Sequence, residues 1–433
     1  MCDPHDVLKA AAKGPEHRAT RLDRQELETF VRSLLARRDV FLEACRRSGS
    51  PLYVIEAQVL LDRARQFTEA FRAELPGAGV YFALKSNNHP AVAGILAGAG
   101  LGLDVSSGRE LQVALGCETN DIVFSGPGKT DEELALAVQH RDRVTVLLDS
   151  FGELERLQRT AARAGEAVRA GVRLTTDERG LWRKFGIPLA DLPRFFREAA
   201  ECTQVRLRGL QFHTSWNLDP GNQVAFIARL GEALQTLAPG QRSEIEFIDM
   251  GGGFWPPQGE WLHSAGTPDG GLSRDVPPAS GTPPAHYKRH AAPIEEFARR
   301  LGRAVRQHLL ALVDCRICAE PGRWLCNDAM HILVSVVDRK ADDLVITDAG
   351  TNAVGWERFE TDYFPVINLS RPGAAEHACH VLGSLCTPHD VWGYAYHGQD
   401  IQPGDVLLIP TQGAYTYSLR QEFIKPLPKV VIL

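Results

Sequence analysis

The chain has 433 residues, of which 44% are hydrophobic and 24% charged, with a formal net charge of −6. These are the proportions of a globular enzyme large enough for two domains, or for one large barrel with an appendage. The mild acidity gives no reason to expect nucleic acid or an anionic membrane as partner, and no apolar run of about 18 residues crosses a bilayer.

Met1-Cys-Asp-Pro-His-Asp-Val lacks the cationic and apolar regions of a secretory signal, so a cytoplasmic protein is expected. The odd number of cysteines, nine and scattered, fits free thiols in a reducing compartment. Cys315-Arg-Ile-Cys318 matches C-x-x-C in form but lies in an apolar, strand-like run with no second pair or histidine nearby. It is expected to be structural, and no metal is expected.

In chain order, residues 1–50 hold one helical stretch, Arg24–Arg47, in what is expected to be an N-terminal extension. Pro51-Leu-Tyr-Val-Ile55 is a strand that could join a second domain. Eight strand-like runs then alternate with helical patterns: Gly79–Leu84, Gly102–Val105, Asp121–Phe124, Val144–Leu148, Val168–Leu174, Arg208–Phe212, Ile245–Ile248 and Cys315–Ala319. Strand and helix alternating eight times predict a closed parallel (β/α)8 barrel over 51–325. Trp255–Pro293, rich in Pro, Gly and Ser, is expected to be a long loop. Beyond residue 326 the helical signal stops. His331–Val337, Asp343–Ile346, Tyr363–Leu369, Ala378–Leu385 and Asp405–Ile409 predict a mostly antiparallel β domain over 326–433.

In such barrels chemistry gathers at the C-terminal ends of the strands. Here those ends carry Lys85, Asp104, Ser125, Asp149, Arg173, His213, Gly251 and Glu320. A lysine at the tip of a buried strand is poorly hydrated, which favours the neutral amine needed for a Schiff base. Gly251-Gly-Gly253, after the seventh strand, leaves backbone N–H groups free to surround a phosphate. Arg323, in Glu320-Pro-Gly322-Arg323 after the eighth, is placed to clamp the same anion, and Glu320 to hold a proton on a pyridine nitrogen. His213 is placed to stack on an aromatic cofactor. Cys386, in a loop marked by glycine and proline, is a candidate acid or nucleophile. Gly413-Ala-Tyr415 offers a hydroxyl among small residues.

Together, Tyr81-Phe-Ala-Leu-Lys85-Ser-Asn, Asp104-Val-Ser-Ser-Gly-Arg-Glu110, Lys184-Phe-Gly186, Phe212-His213, the triple glycine, Glu320-Pro-Gly-Arg323, Cys386 with Asp390, and Gly413-Ala-Tyr415 occur in an order that resembles the fold-type III pyridoxal-phosphate decarboxylases. That group includes ornithine, arginine and diaminopimelate decarboxylases, and the resemblance runs from about residue 50 to 425. It implies pyridoxal 5'-phosphate bound through Lys85, His213 stacked on the ring and Glu320 on the pyridine nitrogen. Asp104, Arg173, Ser215, Gly251, Gly252, Gly253, Gly322, Arg323 and Tyr415 are implied as further cofactor contacts. Cys386 resembles the acid that reprotonates Cα, delivered by the partner of a homodimer. Lys184 and Asp390 match positions that would pair across its interface.

Departures from the family pattern bear on the substrate. Thr387 follows Cys386 where diamine-forming relatives have an acid, and 348–368 lacks the Arg-Pro pattern of diaminopimelate enzymes. The segment resembles instead a subgroup from carboxylate-siderophore biosynthesis, which implies a conjugate such as citryl-diaminopropionate, met by Thr387, His389, Arg358 and Tyr363. A free diamino acid (diaminopimelate, ornithine or lysine) is the alternative. An amino-acid racemase, or a homologue that carries the cofactor without catalysis, ranks below both.

Overall fold

A computed structural model describes residues 18–263, 283–355 and 362–433. The chain divides into two compact units. One comprises 58–255 and 292–326, and the other 1–57, 256–291 and 327–433.

The first unit is the barrel. Among the described residues, eight parallel strands close on themselves: β1 (Gly79–Ala83), β2 (Gly102–Val105), β3 (Ile122–Phe124), β4 (Val144–Leu148), β5 (Val168–Leu174), β6 (Val205–Phe212), β7 (Phe247–Asp249) and β8 (Arg316–Ala319). Closure is made by β8, which pairs with β7 on one side and β1 on the other. The strands are almost wholly buried, which is why they read as unbroken apolar runs rather than alternating ones. Tyr81, Val123, Leu147, Phe247 and Cys318, from β1, β3, β4, β7 and β8, form a buried apolar cluster.

The turns after the strands are written in the local sequence. Ser107 caps the helix Gly108–Leu115, Ser150 caps Phe151–Ala164, and Thr130 with Glu133 forms a capping box on Asp131–Gln139. Each hydroxyl accepts a backbone N–H left open by the first helical turn. Phe151–Ala164 stops at Gly165, whose φ of 70° suits a residue without Cβ. On the outside, Phe67 stacks on Phe71 at 4.6 Å, and Phe254, Phe297 and Trp324 meet the group edge to face with centroids 5.1–5.6 Å apart. Phe254 lies directly after the triple glycine, so this packing anchors that turn. Its burial contributes about 1.5–3 kcal/mol.

The second unit carries an eight-stranded sheet in the order Leu344–Thr347, Glu376–Leu382, Val391–His397, Val366–Asn368, Val406–Ile409, Met330–Ala341, Leu52–Ile55, Lys429–Ile432. It is largely antiparallel, with three parallel pairings. A smaller sheet joins Thr20–Arg21, His286–Arg289 and Glu260–His263.

The boundaries differ from the expected 51–325 in two stretches. Leu52–Ile55 pairs with Met330–Ala341, not with the barrel. Residues 256–291, expected as loop, supply two strands paired from Glu260↔Arg289 to His263↔His286. The Pro- and Gly-rich middle, 264–282, lies outside the described residues, and its composition had masked the short strands at its ends. The expected helix Arg24–Arg47 is two, Arg24–Leu35 and Arg38–Ser48. Val391–His397 and Lys429–Ile432 had not been expected as strands. No helix among the described residues is long and apolar enough to cross a membrane.

Candidate active site

The C-terminal rim of the barrel brings together charges that are far apart in sequence. Lys85 sits in a 3₁₀ turn, Leu84–Ser86, at the end of β1. The turn is held from two sides. Ala83 N–H donates to the Pro321 carbonyl (3.2 Å), and Gly322 lies so close to Ser86 that a Cβ there would meet its side chain at 2.9 Å. The glycine in Glu320-Pro-Gly-Arg323 is therefore a packing requirement of the lysine turn. Lys85 Nζ lies 3.2 Å from Asp104 Oδ2, and Ser125 Oγ donates to Asp104 Oδ1 at 2.6 Å. Asp104 is fully buried.

Three more strands complete the rim. Glu320, 1% exposed at the end of β8, accepts at both of its oxygens from one amide nitrogen: Gln211 Nε2 lies 3.2 and 3.4 Å from them. Burial, followed by the negative charges of Asp104 and Asp249, pushes the Glu320 carboxyl well above the usual carboxylate range. Asp249, at the end of β7 and also fully buried, is pushed up to about 7, chiefly by burial. His213 Nδ1 accepts the Gly252 N–H at 3.0 Å, which leaves the proton on Nε2, 3.2 Å from Ser215 Oγ. Burial and the positive charges of Lys85 and Arg173 hold this imidazole neutral by lowering its pKa.

The triple glycine is confined on every side. Gly251 and Gly253 have φ of 65° and 85°, and a Cβ on Gly251, Gly252 or Gly253 would strike the carbonyls of Phe212, Glu320 or Thr214. Asn217 N–H ties the His213 loop to Gly253 O at 3.0 Å. Arg173, at the end of β5, is 8% exposed and stacks its guanidinium 4.4 Å over Phe185. Arg323 lies 4.4 Å over Trp255. Lys85, Asp104, Arg173, His213, Ser215, Gly251–Gly253, Glu320, Gly322 and Arg323 thus all belong to the barrel unit.

The remaining expected residues lie in the other unit. Cys386, Thr387 and His389 stand on an exposed turn between Glu376–Leu382 and Val391–His397. Tyr415 has φ 61° in the turn after Val406–Ile409. Arg358 lies outside the described residues.

Two expectations are corrected. Tyr363, expected at the substrate, is 4% exposed. It stacks on His286 with centroids 3.5 Å apart and donates its hydroxyl to Glu376 (3.4 Å), so it is a core residue. Asp390, expected to pair with Lys184 of a partner, is 2% exposed. It accepts from Thr351 N–H, Thr351 Oγ1 and Leu385 N–H at 2.7, 2.9 and 2.6 Å. Its carboxylate is consumed in holding the Cys386 turn. Cys315 and Cys318 are free, with thiols pushed up by burial, which fits the structural role expected of them.

Two residues of the rim, Asp249 and Gln211, had been passed over as site residues, and Ser125, noted at a strand end, had been given no role. Asp249 stands immediately before the triple glycine. Gln211 lies two residues before His213, the period that returns a strand residue to the same face.

The rim fits pyridoxal phosphate on its own terms. Three carboxyls, Asp104, Asp249 and Glu320, are buried there, which suits a ring whose nitrogen carries a proton. A primary amine stands beside them, a neutral imidazole is present for stacking, and a glycine turn is too tight for any side chain. Residues 61–264 match the family model described as pyridoxal-dependent decarboxylase, pyridoxal binding domain. The chain is a pyridoxal-phosphate-dependent carboxy-lyase.

Among its relatives is a diaminopimelate decarboxylase of Methanothermobacter thermautotrophicus, 27% identical over 408 residues that cover 90% of this chain and 88% of the relative. An L-glutamyl-[BtrI acyl-carrier protein] decarboxylase of Niallia circulans is 25% identical and covers 86% of each chain. The fold is shared with the diaminopimelate decarboxylase of Helicobacter pylori solved with L-lysine. That chain is 22% identical with a TM-score of 0.74, over 91% of this chain and 94% of the other.

Proposed function

We propose that the protein removes the α-carboxylate of a free diamino acid, with diaminopimelate the first candidate. The observation that carries this reading is the rim itself, where an amine, a neutral imidazole, a buried acid pair and a glycine cradle converge. The names of the relatives favour a free diamino acid over the siderophore conjugate expected from the sequence.

Pyridoxal phosphate, when bound, supplies an electron sink for the pair left at Cα as the carboxylate departs. Lys85 Nζ is the amine that holds its aldehyde carbon, and Asp104 and Ser125 fix where that amine points. The N–H groups of Gly251–Gly253, with Ser215 and Arg323, would hold the phosphate. Glu320, braced by Gln211, would keep a proton at the ring nitrogen, and His213 would stack on the ring. Cys386 Sγ returns the proton to Cα. It acts from the partner subunit of a homodimer, which is consistent with its exposure on a turn clamped from beneath by Asp390. The protein works in the cytoplasm.

A second reading is favoured by Thr387. Its exposed hydroxyl, directly after Cys386, offers no charge for a distal ammonium. A conjugated amino acid, such as a citryl-diaminopropionate or a carrier-bound unit, suits that turn better than lysine or ornithine. Carbon dioxide release from a panel of meso-diaminopimelate, lysine, ornithine and citrate conjugates separates the two readings. Turnover of the conjugate alone reverses the ranking. Mixing Lys85→Ala with Cys386→Ala protein tests the shared site, because only a mixed dimer regains one intact centre. No recovered activity means that Cys386 does not act across the interface.

A further inference from the structure

The Asp249 side chain has two oxygens with different surroundings. Oδ1 accepts the Gly251 N–H at 2.8 Å and so shapes the first, left-handed residue of the triple glycine. Oδ2 is buried and has no donor among the described residues. Asp249 and Glu320 end the paired strands β7 and β8, Glu320 N–H donates to Gly251 O at 2.8 Å, and Gln211, the register partner of Asp249 on β6, is the amide that reaches Glu320. Among the described residues, the Glu320 carboxyl in turn is supplied by the single amide of Gln211. Two fully buried carboxyl groups at neighbouring strand ends, with so few donors between them, resist ionising together, so the pair favours holding one proton.

We propose that Asp249 is a positioning residue that shares a proton with Glu320, and that this pair stores the proton required at the cofactor's ring nitrogen. The inference rests on the reading of Glu320 as the partner of that nitrogen. When the cofactor enters, the pair gives up its proton: an O–H bond breaks, an N–H bond forms, and no electron is transferred. The pair goes from one negative charge to two while the nitrogen gains one positive charge, so the net charge is unchanged.

The groups facing the pair support one held proton. Asp104 adds a third buried carboxylate, while Lys85 and Arg173 bring positive charge. Cys318, on β8, keeps its proton because burial pushes its thiol up. The rise of both carboxyls above the ordinary range agrees with the geometry. Gln211 Oε1 also lacks a donor, so the amide cannot take over the role of the missing proton.

The test uses the full cofactor-free chain, with pyridoxal phosphate as the probe. Infrared difference spectra of the unmodified protein at pH 6 should show a protonated carboxyl band that disappears on cofactor binding. A cofactor-free protein without such a band overturns the proposal. Calorimetry in buffers of different ionisation heat then gives the protons taken from solvent on binding. The unmodified protein should take up almost none below the pH at which the pair ionises, and close to one above it.

Asp249→Asn keeps the acceptor for Gly251 N–H but cannot ionise. Loss of the like charge should move the onset of uptake down by on the order of one pH unit or more. An onset identical to that of the unmodified protein would mean that Asp249 shapes the glycine turn and nothing else. Glu320→Gln separates the two levels of the argument, because it should abolish the uptake at every pH. If Glu320→Gln instead leaves the uptake unchanged, the nitrogen assignment fails. If Glu320→Gln abolishes it while Asp249→Asn keeps the original onset, only the shared proton fails.

Discussion

Both units draw glutamates away from water, part-buried in the sheet unit and fully buried at the barrel rim, but they partner them differently. In the sheet unit, Glu56 is met by Arg37 and by His331 Nε2 at 2.7 Å, while Thr411 N–H donates to His331 Nδ1 at 3.2 Å. Glu376 is met by His286 at 2.7 Å and by the Tyr363 hydroxyl. Burial raises the pKa of each, but these partners outweigh it and hold both carboxyls below the ordinary value. At the barrel rim the balance is reversed. Asp249 and Glu320 have too few donors and are pushed up. A saturated buried charge belongs to a finished structure, whereas an undersupplied one marks a place that awaits another group.

Lys85→Ala breaks this contrast most severely, because it removes the only lysine among the rim residues named above. Decarboxylation should fall by at least about 10²–10⁴-fold. Borohydride should no longer fix the cofactor to the chain, and a variant that is still labelled would remove Lys85 from its role.

The next effect is on stability. Acids whose folded pKa is raised hold protons that the unfolded chain has already lost. Their contribution therefore weakens the fold as pH rises from the ordinary carboxylate range to about 7. The cofactor-free protein should lose on the order of 2–4 kcal/mol over that window. Urea midpoints at pH 5 and pH 8 measure it, and Glu320→Gln should flatten the difference. An unchanged slope would show that the rim acids are not strained.

Glu56 works in the opposite sense. Its folded pKa is lowered, so its contribution is complete above the ordinary carboxylate range and is lost as pH falls through the folded value. Glu56→Ala leaves His331 and Arg37 without their acceptor and should cost about 2 kcal/mol at pH 7, and much less at pH 3. Chemical denaturation at the two pH values checks this.

Asp390→Ala should cost about 1–3 kcal/mol through its three orphaned donors. It should also lower kcat by loosening the Cys386 turn, while the cofactor absorbance stays as it was. A kcat equal to that of the parent would free Cys386 from dependence on the clamp. The smallest effect belongs to Tyr363→Phe, which loses one long hydrogen bond in the core. Less than about 1 kcal/mol and an unaltered KM are expected. A raised KM would return Tyr363 to the substrate.

Much of this was legible in the chain. Each barrel strand is a buried apolar run ending in a polar residue or glycine, and that local pattern needs no long-range information. Lys85, His213, Gly251 and Glu320 were found because strand ends are fixed by sequence, and a parallel barrel sends all its strand ends to one rim. What eluded the pattern was pairing. Tyr363 and Asp390 looked available because their neighbours in sequence are loop-like, and only the folded chain shows that His286, Glu376, Thr351 and Leu385 consume them. The strands Glu260–His263 and His286–Arg289 were hidden by the composition of the segment between them.

Periodicity, capping hydroxyls and the order of short motifs determined the barrel, the sheet that follows it and the cofactor. They are properties of neighbouring residues, and a linear string carries them in full. The tertiary structure alone decided that Asp249 and Glu320 end neighbouring strands with one donor too few, and that Glu56 faces His331 with enough. A carboxylate's charge depends on which groups surround it once water has gone, and residues far apart in the chain supply those groups.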